Sequence, residues 1–332
     1  MKIAVYGAAN IDIQAVCYYD YVPADSNPGR SYIGLGGVGR NIAENCARLG
    51  MHVDLVTVMG DDELSSIIAG DCTRLGIGLE YSLFLKKTAS PRYIAMMNRD
   101  GSLIGAVAAM DALDLFNADE FKTRTEPGDN ADIVVIDANL PEDVISAACG
   151  RWKSRTLFLD PVSETKALKA KDCIGSYSII KPNLHEAMLL AGLIQEPGGQ
   201  TLTSKGTSPV FTDPAFSDPV ETAVKCADIL YQKGVAEIFI SLGPDGILYY
   251  SGSGCGMVRP LDMPVVNVSG AGDAASAGIV WACTLECDTA EKAKYAAAMA
   301  SLAASNANSV SIKINQYYLK KLAMEVKHEI IA

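Results

Sequence analysis

The sequence predicts an α/β protein with a doubly wound, mostly parallel β-sheet flanked by helices and a small β-sheet lid. The first observation is that short runs apolar on both faces recur along the chain, as strands buried between two helix layers require. The second is that helical patterns separate these runs, and strands that alternate with helices pair in parallel. The third is that two segments, residues 13–36 and 92–107, interrupt this alternation and carry no good helix. These two segments are therefore the candidates for the lid.

The predicted strands and helices follow one another along nearly the whole chain. The strands are Ile3–Tyr6, Val53–Val58, Ile133–Ile136, Thr156–Leu159, Ser178–Ile180 and Glu237–Ser241. The helices are Asn41–Leu49, Asp62–Leu75, Glu142–Cys149, Asn183–Ala191, Val220–Lys233 and Ala274–Leu285. Sheets of this kind bind their ligands beyond the carboxyl ends of the strands, so we expect the functional side chains there.

The lid is predicted from about residues 13–36 and 90–108, as part of a single domain that spans residues 1–332. Within it, Arg92–Met97 and Ser102–Val107 form a predicted hairpin, because Asp100-Gly101 is a typical hairpin turn. A lid of this kind excludes water from a site. Residues 195–219 are rich in Pro, Gly, Ser and Thr, which predicts an irregular surface excursion.

Composition and charge argue against several classes of function. Hydrophobic residues make up 49% of the 332 residues, which provides for a large core. The net charge of −11 argues against binding to nucleic acid or to an anionic membrane surface. The nine cysteines are dispersed and form no Cys-x-x-Cys pair. We therefore expect neither a zinc site nor a redox dithiol, but reduced thiols in a cytoplasmic protein.

The segment Gly270-Ala271-Gly272-Asp273 is the strongest candidate for chemistry. Its small residues allow a ligand to approach the backbone, and the first amides of a helix have no partner inside that helix. With the positive end of the helix dipole, these amides predict an anion hole. The carboxylate of Asp273 at its mouth is placed to accept a proton from an alcohol. The alternative is an N-capping Asp after a glycine turn.

Polar residues near the N-terminus predict a site for hydroxyl groups. Asn10 and Asp12 follow the first strand, where a carboxylate suits a vicinal diol, and a turn-capping role is the alternative. Gly36 and Gly37 precede Asn41, whose amide offers both a donor and an acceptor to hydroxyls, or else caps a helix. The glycine cluster is not a P-loop, because no Gly-Lys-Ser/Thr occurs in the chain.

Two later strand ends carry candidate residues for a nucleotide. Asn183 and Glu186 are three positions apart in the first turn of a predicted helix. This spacing fits either a capping box or a pair that holds water around Mg²⁺. Ser241, Gly243 and Gly246 belong to a glycine-rich loop, which flanks a nucleotide or forms a plain β-turn.

These segments, in this order, resemble the ribokinase-like, PfkB-type carbohydrate kinase family over nearly the whole chain. The resemblance implies a ribokinase-like fold and transfer of a phosphoryl group from ATP, with Mg²⁺, to an alcohol. It also implies a role for each motif. Asp273 would be the general base, and the amides of Gly270, Ala271 and Gly272 would form the anion hole. The sugar would be bound by Asn10, Asp12, Gly36, Gly37 and Asn41. Mg²⁺ and the phosphates would be bound by Asn183 and Glu186, and ATP by Ser241, Gly243, Gly246 and Asn306, the last in a helix around Ala300–Asn308.

Within this family the sequence is most similar to the pseudouridine kinases. The similarity lies in Ser26-Asn27-Pro28-Gly29, in Gly37 to Asn45, in Asp160-Pro161-Val162-Ser163 and in Lys166. It implies a nucleoside acceptor phosphorylated on its 5′-hydroxyl, and a homodimer formed through the lid. Asn27, Asn139, Ser163 and Lys166 are the further binding residues that it implies.

Several alternatives stay open. Asn267 stands where many relatives have an Asp that helps to bind a monovalent cation, so a potassium requirement is undecided. The acceptor could instead be that of a ribokinase or an adenosine kinase. A non-catalytic nucleoside sensor on the same fold is a different class of function, but a sensor would have no use for an intact Asp273.

Overall fold

The structure has a nine-stranded central sheet with helices on both faces. It is a computed structural model that describes residues 1–194, 216 and 218–331. The strands are β1 (Lys2–Tyr6), β2 (Asn10–Cys17), β3 (Gly29–Gly36), β4 (His52–Val56), β5 (Val58–Met59), β6 (Leu83–Phe84), β7 (Arg92–Met97), β8 (Leu103–Ala109), β9 (Ile133–Asp137), β10 (Thr156–Asp160), β11 (Ile179–Ile180), β12 (Glu237–Ser241), β13 (Ile247–Ser251), β14 (Gly254–Val258) and β15 (His328–Ile330). The helices are α1 (Val38–Arg48), α2 (Glu63–Arg74), α3 (Ala118–Lys122), α4 (Glu126–Asp129), α5 (Glu142–Trp152), α6 (Glu164–Ala167), α7 (Leu184–Ala191), α8 (Pro219–Gln232), α9 (Ala271–Ala282), α10 (Thr289–Ala304) and α11 (Gln316–Glu325). Within these described residues, 3₁₀ segments cover Asp111–Leu115, Leu168–Ser176 and Gly243–Asp245.

The strand order of the central sheet creates a crevice between β1 and β9. The order is β15-β14-β13-β12-β11-β10-β9-β1-β4. The strands from β12 to β4 are parallel, and β13, β14 and β15 continue the sheet in antiparallel fashion. From β1 the chain goes to β4 on one side, and then returns to place β9 on the other side of β1. The connections diverge at such a switch point, which is where ligands of open α/β sheets bind.

The apolar strands are explained by two separate cores, one on each face of the central sheet. Alternate residues of β1 and β9 point to opposite faces, so Ile3 and Ile133 enter one core and Ala4 and Val134 enter the other. The first core is covered by α1, α9 and α10, and the second by α5, α7 and α8. Among the described residues, no helix is long and apolar enough to cross a membrane.

The prediction of a doubly wound, mostly parallel sheet is confirmed, with corrections to individual elements. The predicted strand Val53–Val58 is two strands, because β5 leaves the central sheet and pairs with β6. Helix α9 begins at Ala271 rather than at Ala274, so that Asp273 belongs to its first turn. The helix expected around Ala300–Asn308 ends at Ala304, and residues 305–308 form a loop. The antiparallel strands β13, β14 and β15 were not predicted.

The two segments that interrupt the alternation pair with each other. They form a four-stranded sheet in the order β3-β2-β7-β8, called the small sheet below. Strands β2 and β7 are parallel, and the outer pairs are antiparallel. Strand β2 begins at Asn10, directly after the loop that follows β1, so the small sheet stands at the carboxyl end of the central one. Its role as a lid and the division into domains stay predictions, and residues 195–215 and 217 of the expected surface excursion lie outside the described part of the chain.

Candidate active site

The first turn of α9 has the geometry that the glycine-rich motif predicts. Gly270 caps the helix in the left-handed region, with φ of 80°. A Cβ atom there would lie 2.2 Å from the carbonyl oxygen of Ser309, so only glycine fits. The amide of Ala271 donates to the carbonyl oxygen of Val268 over 3.2 Å. The amide of Gly272 lies in the first helical turn, where no intrahelical acceptor exists.

Asp273 is half-buried on this turn, among polar side chains from other parts of the chain. Its Oδ2 accepts a hydrogen bond of 2.8 Å from Nδ2 of Asn41, which lies in α1. Burial raises the pKa of Asp273 to about 7, and the nearby Asp160 carboxylate adds to the increase, while Asn41 and Lys181 oppose it. A carboxyl group with a pKa near neutrality is suited to general-base catalysis, since it is partly ionised and is also a stronger base than an ordinary aspartate.

Lys181 brings a buried positive charge to the first turn of α9, and it was not among the predicted site residues. Its side chain is only about 6% exposed, and its Nζ lies 3.8 Å from Oδ2 of Asp160. The same Nζ lies 3.6 Å from the position that a Cβ atom of Gly272 would occupy. Asp160 is held in turn by the hydroxyl of Ser276, which donates to its Oδ2 over 2.6 Å. The sequence feature that could have identified Lys181 is its position as a charged residue directly after a predicted buried strand.

Asp12 and Asn10 form a second polar group, at the start of the small sheet. Nδ2 of Asn10 donates to Oδ1 of Asp12 over 2.7 Å. A Cβ atom at Gly36 would lie 2.4 Å from Oδ2 of Asp12, so the carboxylate occupies the space that this glycine leaves. Burial raises the pKa of Asp12, while Asn10 and Arg40 oppose that increase. Gly37, at φ of 96°, packs against Ala8 in the same way, because a Cβ atom would lie 2.4 Å from its carbonyl oxygen.

Asp137 connects the backbone segments at the switch point, and it was not among the predicted site residues. It is fully buried at the end of β9 and accepts hydrogen bonds from the amides of Ala8 (2.8 Å), Gly39 (2.7 Å) and Asn139 (2.6 Å). These bonds join the loops that follow β1 and β9 to the start of α1. Burial raises its pKa to about 6, although the donated hydrogen bonds act in the opposite direction. The sequence feature that could have identified Asp137 is an Asp that follows a buried apolar strand, which is the feature that identified Asp12.

Asn139 and Lys166 are connected to Asp137 by hydrogen bonds, and Ser163 lies in the loop after β10. Nζ of Lys166 donates to Oδ1 of Asn139 over 2.5 Å, and Nδ2 of Asn139 donates to Oδ1 of Asp137 over 2.7 Å. The chain before Ser163 makes a tight turn, in which the amide of Ser163 donates to the carbonyl oxygen of Pro161 over 2.7 Å. The turn holds Val162 at φ of 69°, a strained conformation for a β-branched residue. Strain of this kind is often found at functional sites.

Asn183 and Glu186 form the capping box that the sequence allowed, and they lie beside Ser241. The amide and Nδ2 of Asn183 each donate to the Glu186 carboxylate over 2.8 Å, and the Glu186 amide donates to Oδ1 of Asn183 over 2.9 Å. Burial raises the pKa of Glu186 to about 7, while Lys181 lowers it. Asn183 and Ser241 are joined by a parallel bridge between their backbones. Gly243 and Gly246 follow with φ of 59° and 112°, as the predicted turn requires.

Three further predicted residues form their hydrogen bonds within a loop, at a helix end and between two loops. The amide of Asn27 bonds to Val22 and Asp25 in its own loop. Asn306 follows the C-terminal end of α10, and its Nδ2 donates to the carbonyl oxygen of Leu302 over 2.7 Å. Asn267 connects the loop before α9 to the loop after α10, since its Nδ2 donates to the carbonyl oxygen of Ala307 and its Oδ1 accepts from the amide of Ser269.

A cavity beside the turn that precedes α9 has room for a small molecule. This cavity of about 710 Å³, lined in part by Asp12 and Arg40, opens between the small sheet, α1 and the loops at 267–269 and 307–312. Cavities of this size bind small ligands. The described residues contain no cluster of three or more His, Cys, Asp or Glu side chains that could hold a metal ion by themselves. Glu186 and Asp160, beside Lys181, are the carboxylates that could contact a metal carried by a phosphate group.

Comparison with known proteins identifies the family of this chain. A model of the pfkB family carbohydrate kinases matches residues 1–314. The protein named pseudouridine kinase in Escherichia coli K12 is 28% identical over 304 residues, which cover 91% of this chain and 90% of that protein. The structure titled carbohydrate kinase from Agrobacterium tumefaciens superposes with a TM-score of 0.82 at 26% identity over all of both chains. The Arabidopsis thaliana ribokinase complexed with ribose and ATP shares the fold, with a TM-score of 0.74 at 19% identity over 97% of this chain and 98% of that one. The chain therefore belongs to the pfkB family of carbohydrate kinases, which are phosphotransferases that act on a hydroxyl group.

Proposed function

We propose that this protein transfers the γ-phosphoryl group of ATP to the 5′-hydroxyl of pseudouridine. The observation that carries the kinase chemistry is the position of Asp273, in the first turn of α9, with a pKa of about 7. The similarity to a pseudouridine kinase over 91% of the chain supports the choice of acceptor. The Asn139–Lys166 hydrogen bond supports it as well, because it brings together two of the residues expected to bind the nucleoside.

In the proposed reaction, the carboxylate of Asp273 accepts the proton of the 5′-hydroxyl while the oxygen of that hydroxyl attacks the γ-phosphorus. The bond from the γ-phosphorus to the β,γ-bridging oxygen breaks, and ADP leaves. The amides of Gly270 and Gly272 stabilise the charge on the transferring group. The amide of Ala271 would first have to give up its bond to Val268. The buried ammonium group of Lys181 adds positive charge at the same place.

Asp12 is the residue that we propose for the ribose. Its carboxylate lines the cavity, and Asn10 and Gly36 fix its position. A carboxylate accepts hydrogen bonds from two neighbouring hydroxyls, which suits the 2′ and 3′ positions of a ribose. Gly36 and Gly37 support this site through packing, because their open sides face Asp12 and Ala8. Asn41 contributes from α1 through its bond to Asp273.

We place the triphosphate between the first turn of α9 and the Asn183–Glu186 pair, with Ser241, Gly243 and Gly246 toward the nucleotide. Glu186 lies next to Lys181 and Asp160 and fits a magnesium ion held through water, because its carboxylate is fixed by Asn183. Bound Mg²⁺ would neutralise phosphate charge. Asn306 and the loop after α10 then flank the adenine. The neutral amide of Asn267 already joins two loops, so potassium is not part of the proposal.

For the base, we propose that Asn139, Lys166 and Ser163 form one wall of its pocket. Pseudouridine has a ring N–H that uridine lacks, and a buried acceptor aimed at it would stay unpaired with uridine. Discrimination of this kind can reach ~10⁴. Asn27 is the weakest member of the set, because its amide is used within the loop between β2 and β3 and would have to reorient to reach a base.

We also propose a homodimer that forms through the small sheet. Ile33, Ile13, Ile94 and Val107 are cross-strand partners and therefore form one apolar row across all four strands. The outermost two, Ile33 and Val107, are 64% and 62% exposed, whereas Ile13 packs partly against the protein's own core and Ile33 also lines the rim of the cavity. An apolar row of this kind on an exposed sheet indicates a protein contact, and a second copy would cover it.

A substrate panel tests the proposed reaction. Pseudouridine, uridine, adenosine, ribose and fructose 6-phosphate would each be assayed with ATP and Mg²⁺. We expect phosphorylation of pseudouridine with a kcat/KM far above that of uridine. A ratio near one, or a preference for adenosine or ribose, would identify a kinase with another acceptor. Tight binding of a nucleoside with no turnover of any member of the panel would favour a sensor.

A further inference from the structure

Two cysteines on different elements lie in contact, away from the residues proposed to react. Cys149 belongs to α5, and Cys173 belongs to the 3₁₀ segment Leu168–Ser176. Their Sγ atoms are 2.9 Å apart, although the residues are 24 positions apart in the sequence. A disulfide bond is about 2.05 Å long, so a small movement of two side chains would bring the sulfur atoms to bonding distance. All nine cysteines are free thiols in the structure.

We infer that Cys149 and Cys173 form a reversible disulfide when the protein is oxidised. Sequence spacing could not show it, because a separation of 24 residues matches no dithiol motif. The fold creates the pair by packing α5 against the 3₁₀ segment, with the buried ring of Tyr177 beside both thiols. The inference does not depend on the acceptor or on the kinase activity.

The two thiols differ in their access to an oxidant, which sets the order of the steps. Cys149 is only 2% exposed, whereas Cys173 is partly exposed at the surface. Cys173 therefore reacts first, although its contact with Cys149 raises the pKa of its thiol and lowers that of Cys149. After losing its proton to solvent, Cys173 attacks a low-molecular-weight disulfide, releases one small thiol and becomes a mixed disulfide. The thiolate of Cys149 then attacks Sγ of Cys173 and displaces the second small thiol. The protein loses two electrons and two protons, and the small disulfide leaves as two thiols.

The surroundings of the pair indicate what the bond would do. Helix α5 starts shortly after Asn139 and Leu140, and the 3₁₀ segment directly follows α6, which contains Lys166. Nζ of Lys169 already donates to the carbonyl oxygen of Leu140 over 3.0 Å, so the two segments are held together at their other ends. A covalent bond between positions that are in contact in the fold should stabilise it, and we expect a higher Tm, by about 5 °C, in the oxidised protein.

Peptide mapping tests the inference on the full-length protein. The native protein would be incubated with oxidised glutathione, its remaining thiols alkylated, and the product digested with trypsin without reduction. We expect peptide 125–151, with Cys149, linked to peptide 172–205, with Cys173, at a mass two hydrogens below their sum. Dithiothreitol should abolish the link. Cys173→Ser, at a partly exposed position, should abolish it without preventing folding, and Cys149→Ser should do the same.

Cys287→Ser provides the matched control. Cys283 and Cys287 are close in sequence, but Sγ of Cys287 bonds to the carbonyl oxygen of Ala282. This variant should keep the link between the two peptides. Recovery of both peptides unlinked, with Cys173 carrying only glutathione after prolonged incubation, would overturn the inference. A link that appears only after the protein has been unfolded would overturn it too, as would an unchanged Tm in protein shown to be fully linked.

Discussion

Asn41 donates a hydrogen bond of 2.8 Å to Asp273 across 232 positions of the sequence. The other side of the Asn41 amide is also occupied, because Nη1 of Arg40 donates to its Oδ1 over 2.8 Å. Arg40 is buried and paired with Glu44, and its Nη2 lies 3.4 Å from Asp71. The amide of Asn41 therefore has one orientation, with its NH₂ group toward Asp273. This relationship gives Asn41 a part in positioning the proposed base, in addition to the sugar contact that its sequence motif implied.

The first prediction is that Asp273→Asn lowers kcat by a factor of ~10²–10⁴ with little change in ligand binding. The amide cannot accept the proton of the acceptor, and general-base catalysis contributes about this factor. Steady-state kinetics with ATP and pseudouridine, together with titration of both ligands, would measure the two effects. If the variant retained more than about a tenth of the wild-type kcat, Asp273 would not be the base.

The second prediction concerns pH. Because Asp273 must be ionised to act as the base and its pKa is about 7, we expect kcat to fall as the pH decreases through 7. The hydrogen bond from Asn41 and the charge of Lys181 favour the ionised form, whereas burial, Asp160 and Asp137 disfavour it. Asn41→Leu removes one of the favourable groups. The acid limb of its kcat profile should therefore move to higher pH.

Glu186 provides the control for this profile, since burial raises its pKa to about 7 as well. Glu186→Gln removes that titration and leaves Asp273 in place. The acid limb should persist in Glu186→Gln, measured at saturating ATP and Mg²⁺. An acid limb that vanished in this variant, or one that Asn41→Leu left unchanged, would assign the titration to a group other than Asp273.

The third prediction is that Gly36→Ala weakens binding of the acceptor and leaves that of ATP unchanged. The new methyl group would meet Oδ2 of Asp12 and displace the carboxylate. A hydrogen bond to a charged group is worth roughly 1.5–3 kcal/mol, so we expect the acceptor KM to rise by about tenfold or more. Asp12→Ala should give the same pattern.

Gly105→Ala is the matched control in the same sheet. Gly105 lies in β8, and a Cβ atom there meets nothing within 4 Å. Its acceptor KM should stay within about twofold of the wild type, as surface substitutions rarely exceed ±0.5 kcal/mol. Equal defects in Gly105→Ala and Gly36→Ala would show that the small sheet tolerates no added methyl group, and would not support a role for Asp12.

The fourth prediction is that Ile33→Asp and Val107→Asp convert a dimer to a monomer. A charge in the apolar row of the small sheet would be buried without a partner in the proposed interface. Sedimentation velocity at micromolar protein concentration would measure the mass. Tyr317→Asp, at an 82% exposed position of α11, is the control and should leave the dimer intact. A wild-type protein that sediments as a monomer would refute the proposed interface.

The local sequence determined the elements and the reactive turn. Burial on both faces requires apolar runs, so the parallel strands were visible in the hydrophobic pattern, and β12 was predicted with its observed bounds. The Gly270–Asp273 turn was also predictable, because a left-handed cap and a free helix start depend on neighbouring residues only. Where the local signal was weak, the prediction failed. The strands β13–β15 are antiparallel additions at the sheet edge, and α9 starts a turn earlier than the apolar pattern suggested.

The tertiary structure decided which side chains meet, because the order of strands in a sheet is not encoded in the period of any one strand. Asp160 is the last residue of β10 and Lys181 directly follows β11, so the two become a buried pair only when β11 lies beside β10. Asp137 binds the amides of Ala8 and Gly39 because β9 pairs with β1. The raised pKa of Asp273 has the same origin, since burial and the charges of Asp160 and Lys181 exist only in the packed protein. The sequence thus determined the chemical groups that are available, and packing of the sheet determined their environment and their partners.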